Sequence, residues 1–211
     1  MKLNIQQFGG RGASSSSTSQ NMSLEYYVSG MGMWINNYLR GLDDGGELTK
    51  DDKQYLKDLD KMTNNNIQND VLYRTVDASA IFNNISDFDY GILKDVLVFN
   101  DNQKINVAKA NQILSRVKKE YTEKGFMSTS KSLKIAEDNQ YFFGSTKPIV
   151  MEIHTNKKTK GLDVMKRATS KIREVEKREP QKEVLLARNQ KVQVYDVGSK
   201  NGNIYVKARL K

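Results

Sequence analysis

Apolar residues in the first part of the chain recur at the spacing of helix faces. Across residues 24–38 they stand three and four positions apart, which predicts a helix. Gly30 and Gly32 weaken this helix and predict its division into two shorter ones. Gly41 supplies a C-terminal stop, and Thr49 can cap a further helix with acidic residues in its first turn. We therefore expect this part of the chain to be helical.

From residue 71 onward, apolar and polar residues alternate in short runs, which is the period of strands. Residues 192–197 and 204–210 flank a turn rich in Gly and Asn and predict a hairpin. The other expected strands are Val71–Val76, Phe126–Ser128, Ile149–His154 and Glu183–Leu186. Short helices are expected at residues 77–84, 107–121 and 132–142. Helices followed by mostly antiparallel strands indicate an α+β fold.

Length and composition limit the classes of protein that fit. The 211 residues suffice for one domain with a sizeable core. Residues 9–20 are rich in Gly and Ser, so we expect residues 1–20 to be a flexible tag and linker and residues 21–211 to be the domain. The absence of Cys and the single His argue against disulfides and against a metal centre built on Cys or His, while a carboxylate-only Mg or Ca site stays open without a motif for one. No membrane span or signal peptide is visible, so we expect a protein of the producing cell's cytoplasm without a membrane partner.

Three polar motifs lie at predicted strands. Gln181 and Glu183 stand two apart before an apolar run, so an extended backbone would point both side chains the same way. Arg74 follows Leu-Tyr on a strand, and its guanidinium is a fixed fork suited to phosphate oxygens. Residues 128–130 read Ser-Thr-Ser before a predicted helix. Taken singly, these motifs also fit a solvated edge strand, an Arg in a salt bridge and an ordinary Ser/Thr turn.

Further segments accompany these motifs in a defined order along the chain. Residues 35–40 read Ile-Asn-Asn-Tyr-Leu-Arg, residues 147–150 read Lys-Pro-Ile-Val, and residues 181–188 read Gln-Lys-Glu-Val-Leu-Leu-Ala-Arg. From about Tyr27 to Lys211, this succession resembles the mono-ADP-ribosyltransferases of the Arg / Ser-Thr-Ser / Glu class. It is similar in particular to the small clostridial exoenzymes that modify Rho GTPases and to the enzymatic components of binary toxins.

The resemblance implies a fold, a cosubstrate and a reaction. Two small, mostly antiparallel sheets would meet around an NAD cleft beneath N-terminal helices. ADP-ribose would pass from NAD to a macromolecular acceptor, with release of nicotinamide and without a metal. Cleavage of the ribose–nicotinamide bond builds oxocarbenium-like positive charge at the anomeric carbon. A carboxylate placed at the ribose 2′-OH would stabilise that charge.

The resemblance also implies roles for residues of the three motifs. Glu183 would be the catalytic carboxylate, and Ser128 would hold it by a hydrogen bond. Thr129 and Ser130 would bond the backbone and fix the strand-to-helix turn, while Arg74 would hold the diphosphate of NAD. Gln181 would hold the acceptor.

Other contacts with NAD are carried over with departures from the family pattern. Asn36 would touch the adenosine side, Phe143 would stack on nicotinamide and Lys147 would contact phosphate. The family typically has Arg where Lys147 stands, and Lys supplies charge without the bidentate fork. Arg178 occupies the place of an aromatic residue five positions before Glu183, so we expect it to contribute to acceptor recognition on a different, charged surface, and a Rho-like target is not assumed.

The acceptor class follows from the position of Gln181. In the family, Gln at this position accompanies modification of an amide or of guanine bases, whereas Glu accompanies modification of arginine. We therefore expect a non-arginine acceptor, with protein as the first choice and nucleic acid as the alternative, and a monomeric enzyme. Residues Glu174, Glu176 and Glu179 are interpreted as a solvated face.

A second function class stays open from the sequence. The formal net charge is +9, which favours anionic partners. Residues 1–10 resemble the N-terminal segments of some virion proteins of Gram-positive phages, which implies a phage-encoded protein that is packaged or delivered into a host. The alternative is therefore a non-catalytic basic virion or nucleic-acid-binding module, whose DNA binding would weaken strongly with salt.

Overall fold

The computed structural model describes residues 15–42, 47–68, 70–81, 85–91, 120–138, 147–178, 180–200 and 203–211. Its helices are α1 (Ser15–Tyr26), α2 (Gly32–Arg40), α3 (Lys50–Thr63), α4 (Leu133–Asp138) and α5 (Ser170–Arg178). Short 3₁₀ turns lie at Ala78–Ala80 and Val164–Arg167. Within these ranges, no helix has the length and apolar content needed to cross a bilayer. The resemblance noted for residues 1–10 concerns a segment outside the described residues.

The N-terminal helices follow the expected pattern. A π-helical turn, Tyr27–Met31, separates α1 from α2, and Gly30 within it has a φ of 104°. This left-handed backbone is easy only for Gly, which explains the division of the helix there. Gly41 ends α2 with a φ of 70°. Thr49 begins α3 through a capping box with Asp52, so the predicted division of the first helix, the end of α2 and the start of α3 are confirmed.

Helix α1 begins earlier than the sequence indicated. Residues 15–20 were expected to belong to the flexible linker, but they form the first turns of α1. Ser19 donates to Asp58 Oδ2 at 2.5 Å, and Ser23 donates to the same oxygen at 3.0 Å. Packing against α3 thus orders a polar segment whose composition alone predicts disorder.

The strands form one sheet whose two halves are joined by a narrow contact. The strands are β1 (Asn65–Asn66), β2 (Val71–Asp77), β3 (Glu120–Glu123), β4 (Met127–Ser130), β5 (Pro148–His154), β6 (Lys160–Asp163), β7 (Glu183–Leu186), β8 (Gln190–Lys200) and β9 (Asn203–Leu210). Their order is β1-β6-β7-β4-β2-β5-β9-β8-β3. Strands β2 and β4 meet through one residue pair, Tyr73 with Ser130. The two expected sheets therefore correspond to β1-β6-β7-β4 and β2-β5-β9-β8-β3, hydrogen-bonded at this point.

The pairing is mostly antiparallel, as expected, but β5 and β9 run parallel. Both strands are buried over most of their length, as is usual for parallel pairs. The long hairpin β8–β9 confirms the two alternating runs near the C-terminus. The α+β fold class is thus confirmed.

Two apolar clusters sandwich the smaller half of the sheet. One cluster lies between the two halves, where Val184 and Leu186 of β7 pack with residues of β2, β5 and β9. The other joins Leu185 of the same strand to the N-terminal helices and to Phe126. Alternate residues of β7 therefore serve opposite cores, which is the expected consequence of the period of two along a strand.

Three element predictions differ from the structure. Tyr121 was expected to close a helix over residues 107–121, but it lies in strand β3, and residues 107–119 are outside the described part. The helix expected at 132–142 is described only as Leu133–Asp138. Residues 78–80 form a 3₁₀ turn in the region expected as a short helix. Strand β3 is held by pairing with β8, a long-range contact that local periodicity does not reveal.

The helices are fastened to the sheet by specific polar contacts. Arg188, directly beyond β7, donates Nε and one terminal nitrogen to the two carboxylate oxygens of Asp60 on α3, at 2.7 and 2.8 Å. The Phe126 backbone N–H donates to Asn36 Oδ1 at 2.8 Å. A bidentate Arg–carboxylate pair fixes orientation as well as distance. These contacts hold α2 and α3 against strands β4 and β7.

We predict that Gly125→Ala destabilises the protein by about 1–3 kcal/mol, because a Cβ atom there would lie 2.7 Å from Asn36 Oδ1. Relieving this overlap displaces the amide that accepts from Phe126. The measurement is the urea denaturation midpoint. Gly198→Ala is the matched control, since its Cβ would meet nothing within 4 Å. Equal midpoints for the two variants would contradict the prediction.

Candidate active site

The Ser-Thr-Ser motif lies directly beside Glu183. Strands β4 and β7 pair antiparallel, with Ser130 opposite Glu183 and Ser128 opposite Leu185. Ser128 Oγ donates to Glu183 Oε1 at 2.6 Å. Thr129 Oγ1 donates to the Val184 carbonyl oxygen at 2.6 Å. The sequence prediction that Ser128 bonds Glu183 is thus confirmed as geometry.

Ser130 and the next residue fasten the segment before β7. Ser130 Oγ donates to the Gln181 carbonyl oxygen at 2.7 Å and accepts from the Ser132 backbone N–H at 3.0 Å. The Lys131 backbone N–H donates to the Lys182 carbonyl oxygen at 3.2 Å. The Ser130 side chain therefore bonds the backbone of the turn into α4 and that of the segment before β7, in line with the backbone role that the resemblance implies.

The backbone between Gln181 and Glu183 is not the extended strand that the sequence suggested. Lys182 has a φ of 48°, in the left-handed region that favours Gly, and β7 begins only at Glu183. The i, i+2 argument for a shared direction of the two side chains is therefore wrong. The relative orientation of Gln181 and Glu183 depends on a turn at Lys182.

Glu176 on α5 stabilises this turn. Its carboxylate accepts the Gln181 N–H at 3.0 Å through Oε2 and the Lys182 N–H at 2.7 Å through Oε1. Glu176 had been interpreted as part of a solvated face, and the structure corrects this. The signal in the sequence is its position four residues after Ile172, which is buried, because residues four apart share a helix face.

The Glu183 carboxyl group has a perturbed acidity. Burial raises its pKa above the ordinary value of 4.5, and the nearby Glu176 carboxylate raises it further. The hydrogen bond from Ser128 acts in the opposite direction, because it favours the ionised form. A raised pKa on a carboxylate in a polar cluster is typical of functional sites.

Arg74 lies on β2, across the narrow contact between the two halves of the sheet. Its Nε atom is buried, and none of the described residues offers that atom a hydrogen-bond acceptor. Its positive charge acts on the phenols of Tyr27 and Tyr121. Since burying an unpaired charged donor is costly, a ligand with phosphate oxygens would suit this position.

Tyr27 lies near both the motif of Glu183 and that of Arg74. Its sequence pattern indicated only a residue on a helix face. Burial raises the pKa of its phenol, and the Glu183 carboxylate adds to that rise while Arg74 lowers it. Both Glu183 and Arg74 therefore lie within electrostatic reach of one hydroxyl. The structure thus brings together Glu183, Ser128 and Arg74 beneath the N-terminal helices.

Asn36 lies under Tyr27 rather than at an open surface. The residue is 7% exposed, its Nδ2 donates to Tyr27 Oη at 2.9 Å, and its Oδ1 accepts from Phe126. In the described structure it supports the site through Tyr27. Its contact with the adenosine side of NAD stays a prediction.

The remaining predicted residues are placed differently. Lys147 Nζ donates to the Ile85 carbonyl oxygen at 2.9 Å and pairs with Asp87 at 3.0 Å, so its ammonium group is directed at residues 85–87. Phe143 lies outside the described residues. Arg178 is the last residue of α5, and its side chain is likewise outside the description.

A second charged pair near this cluster was also missed. Arg40 Nε donates to Glu123 Oε1 at 2.8 Å, and the same oxygen accepts the Gly125 N–H at 2.9 Å. Arg40 acts electrostatically on Tyr27 and Tyr121, as Arg74 does. Arg40 is the last residue of the segment 35–40, so the sequence shows the motif. It does not show the partner of Arg40, Glu123 on β3.

We predict that Ser128→Ala raises the pKa of Glu183 beyond its already raised value, because the hydrogen bond that favours the carboxylate is lost. A pH titration of the Glu183 side-chain carboxyl carbon by NMR measures this. Ser79→Ala, an exposed serine in the 3₁₀ turn after β2, is the matched control and should leave the titration unchanged. An unchanged or lower pKa in Ser128→Ala would contradict the assigned hydrogen bond.

Known proteins resemble this chain in sequence and in fold. Residues 4–210 match the sequence family described as ADP-ribosyltransferase exoenzyme. No curated protein sequence matches the chain. Among solved structures, the fold is similar to C3stau2 from S. aureus with NAD, with a TM-score of 0.64, 20% identity, and coverage of 93% of this chain and 90% of that chain.

Two clostridial structures show the same likeness. The C3 exoenzyme of Clostridium limosum has a TM-score of 0.59 and 23% identity, with coverage of 92% of this chain and 85% of that chain. An ADP-ribosyltransferase from Clostridium botulinum, in a triclinic crystal form, has a TM-score of 0.60 and 22% identity, with coverage of 91% of this chain and 86% of that chain. At these identities the likeness concerns the fold. Because the family match covers nearly the whole sequence, the chain belongs to the ADP-ribosyltransferase exoenzyme family and is a mono-ADP-ribosyltransferase.

Proposed function

We propose that the protein transfers ADP-ribose from NAD to a non-arginine macromolecular acceptor, with Glu183 as the catalytic carboxylate. The observation that carries this assignment is the 2.6 Å hydrogen bond from Ser128 to Glu183, in a cluster that also contains Arg74, whose buried Nε has no acceptor among the described residues. Glu183 can stabilise the positive charge that develops on the ribose, and Arg74 can hold a phosphate. The proposal thus assigns the nicotinamide ribose and the diphosphate of NAD to different motifs.

The reaction breaks the bond between the ribose anomeric carbon and the nicotinamide nitrogen. Nicotinamide leaves with the electron pair of that bond and becomes neutral, so no general acid is needed. Positive charge then develops on the ribose, and the Glu183 carboxylate at the 2′-OH stabilises it. A nucleophile of the acceptor bonds the anomeric carbon and releases its proton to solvent.

The chain offers a suitable position for the diphosphate of NAD. Arg74 Nε is buried and has no acceptor among the described residues, and phosphate oxygens would supply one. Arg40 lies in the same electrostatic neighbourhood but already pairs with Glu123. Lys147 is neutralised by Asp87, so we assign it a supporting role at the start of β5. Phe143 remains our nominee for stacking on nicotinamide.

Gln181 is proposed to hold the acceptor. Its backbone is fixed two residues before Glu183, because Ser130 donates to its carbonyl oxygen and its N–H donates to Glu176. An amide side chain donates and accepts hydrogen bonds without a charge that would attract a guanidinium. This favours an uncharged amide of a protein acceptor over arginine, with Arg178 as a nearby recognition residue.

We predict that Glu183→Gln lowers nicotinamide release from NAD by about 100-fold or more, because the variant keeps the shape of the side chain and removes its charge. The measurement is nicotinamide released by purified protein. Activity should also decline on acidification at a pH above 4.5, since the carboxyl pKa is raised and only the ionised form is active. Glu174→Gln, an exposed change on α5, is the control. Equal rates for wild type and Glu183→Gln would refute the enzymatic assignment.

We predict that Gln181→Ala preserves nicotinamide release but abolishes transfer of label to an acceptor, because the proposed role of Gln181 concerns the acceptor alone. Labelled NAD is offered with cell lysate, and the labelled material is identified by mass spectrometry. A nuclease-treated lysate distinguishes protein from nucleic acid. Label on arginine, or unchanged labelling by Gln181→Ala, would contradict the proposed acceptor assignment.

A further inference from the structure

The two residues before Glu183, Gln181 and Lys182, have both their carbonyl oxygens and their N–H groups hydrogen-bonded. Their carbonyl oxygens accept from the β4 side, where Ser130 Oγ bonds the Gln181 oxygen and the Lys131 N–H bonds the Lys182 oxygen. Their N–H groups donate to the Glu176 carboxylate on α5, at 3.0 and 2.7 Å. The turn is therefore fixed by two separate elements, and in these hydrogen bonds the charged group comes from α5.

This turn contains the unfavourable backbone conformation of Lys182. A left-handed conformation is sterically unfavourable for a residue with a Cβ atom and persists only where the surroundings impose it. Hydrogen bonds to an ionised acceptor are stronger than neutral ones, and here one carboxylate accepts two adjacent N–H groups. The two hydrogen bonds to the Glu176 carboxylate thus compensate for the left-handed conformation of Lys182, the residue between Gln181 and Glu183.

Glu176 is itself well placed for this role. It stands one helical turn after Ile172, which is 5% exposed and packs into the core beneath the N-terminal helices. The neighbouring Glu174 is exposed and pairs with Lys177 along the helix surface at 2.8 Å. Two glutamates on one short helix therefore have different environments, and only one of them reaches the turn.

We propose that Glu176 is a positioning residue that holds the Gln181–Glu183 turn in its reactive conformation and so couples helix α5 to both acceptor binding and catalysis. This inference rests on the proposed function of Glu183 and Gln181. Glu176 does not contact the reacting atoms; it acts through the two backbone N–H groups. Because the turn carries both side chains, loosening it affects transfer to the acceptor, which needs Gln181 and Glu183, more than hydrolysis of NAD, which needs only Glu183 of the two.

The charge of Glu176 gives a second, independent consequence. The groups acting on the Glu183 carboxyl are the Ser128 hydroxyl of β4 and the Glu176 carboxylate of α5, while the Tyr27 phenol faces it from the N-terminal helices. Neutralising Glu176 removes a nearby negative charge, so Glu183 should ionise more readily. The acid side of the activity profile then moves to lower pH, a change that a purely structural loss would not produce.

The test compares Glu176→Gln with Glu174→Gln in the full chain. For Glu176→Gln we expect transfer to the acceptor to fall about tenfold and more than NAD hydrolysis does, with the acid limb of hydrolysis shifted to lower pH. Glu174→Gln should leave both rates and the pH profile at wild-type values. Urea denaturation of both variants establishes that they are folded.

A second comparison examines the backbone explanation. Lys182→Gly removes the steric cost of the left-handed conformation. In that background, Glu176→Gln should therefore reduce transfer by a smaller factor than in the wild type. Equal effects of Glu176→Gln and Glu174→Gln, or an unshifted acid limb, would overturn the proposal. If Glu183→Gln also kept full nicotinamide release, the proposed function itself would fail, so the two failures are distinguishable.

Discussion

The structure depends on keeping a negative charge where burial opposes it. In the proposed reaction Glu183 must be ionised to stabilise the ribose cation, yet its surroundings raise its pKa. The folded protein binds this proton more tightly than the unfolded chain does. Glu183 therefore costs folding free energy as the pH rises through 4.5, and the cost is complete above the folded pKa. Ser128 offsets part of the cost, which explains a hydroxyl at hydrogen-bond distance from the carboxylate.

The rest of the fold supplies the stability that offsets the folding cost of ionising Glu183. Strand β7 contributes Val184 and Leu186 to one core and Leu185 to the other, so the residue after Glu183 begins a fully buried run. Arg188 then ties the end of the strand to α3. Strand β7 is consequently fixed at both of its ends, and the cluster of Ser128 and Glu183 lies on a rigid support.

The sequence predicted the parts of the site that have local signatures. Gly30, Gly41 and Thr49 have roles set by backbone geometry, and each has the predicted place in the structure. The contact between Ser128 and Glu183 followed from family likeness and not from periodicity. Strand β3 and the role of Glu176 could not be predicted, because both depend on partners distant in the chain or across a turn. The extended backbone assumed at Lys182 failed because tertiary hydrogen bonds override local preference there.

The single pairing of Tyr73 with Ser130 has a consequence for the way a dinucleotide would act on the whole molecule. Arg74 lies on one side of this junction and Glu183 on the other, so a ligand held by both would bridge two halves that share few backbone hydrogen bonds. Such a ligand would act as a cross-link between the halves. Heat resistance of the protein would then increase with occupancy of the cleft, since ligand binding to the folded state shifts the unfolding equilibrium.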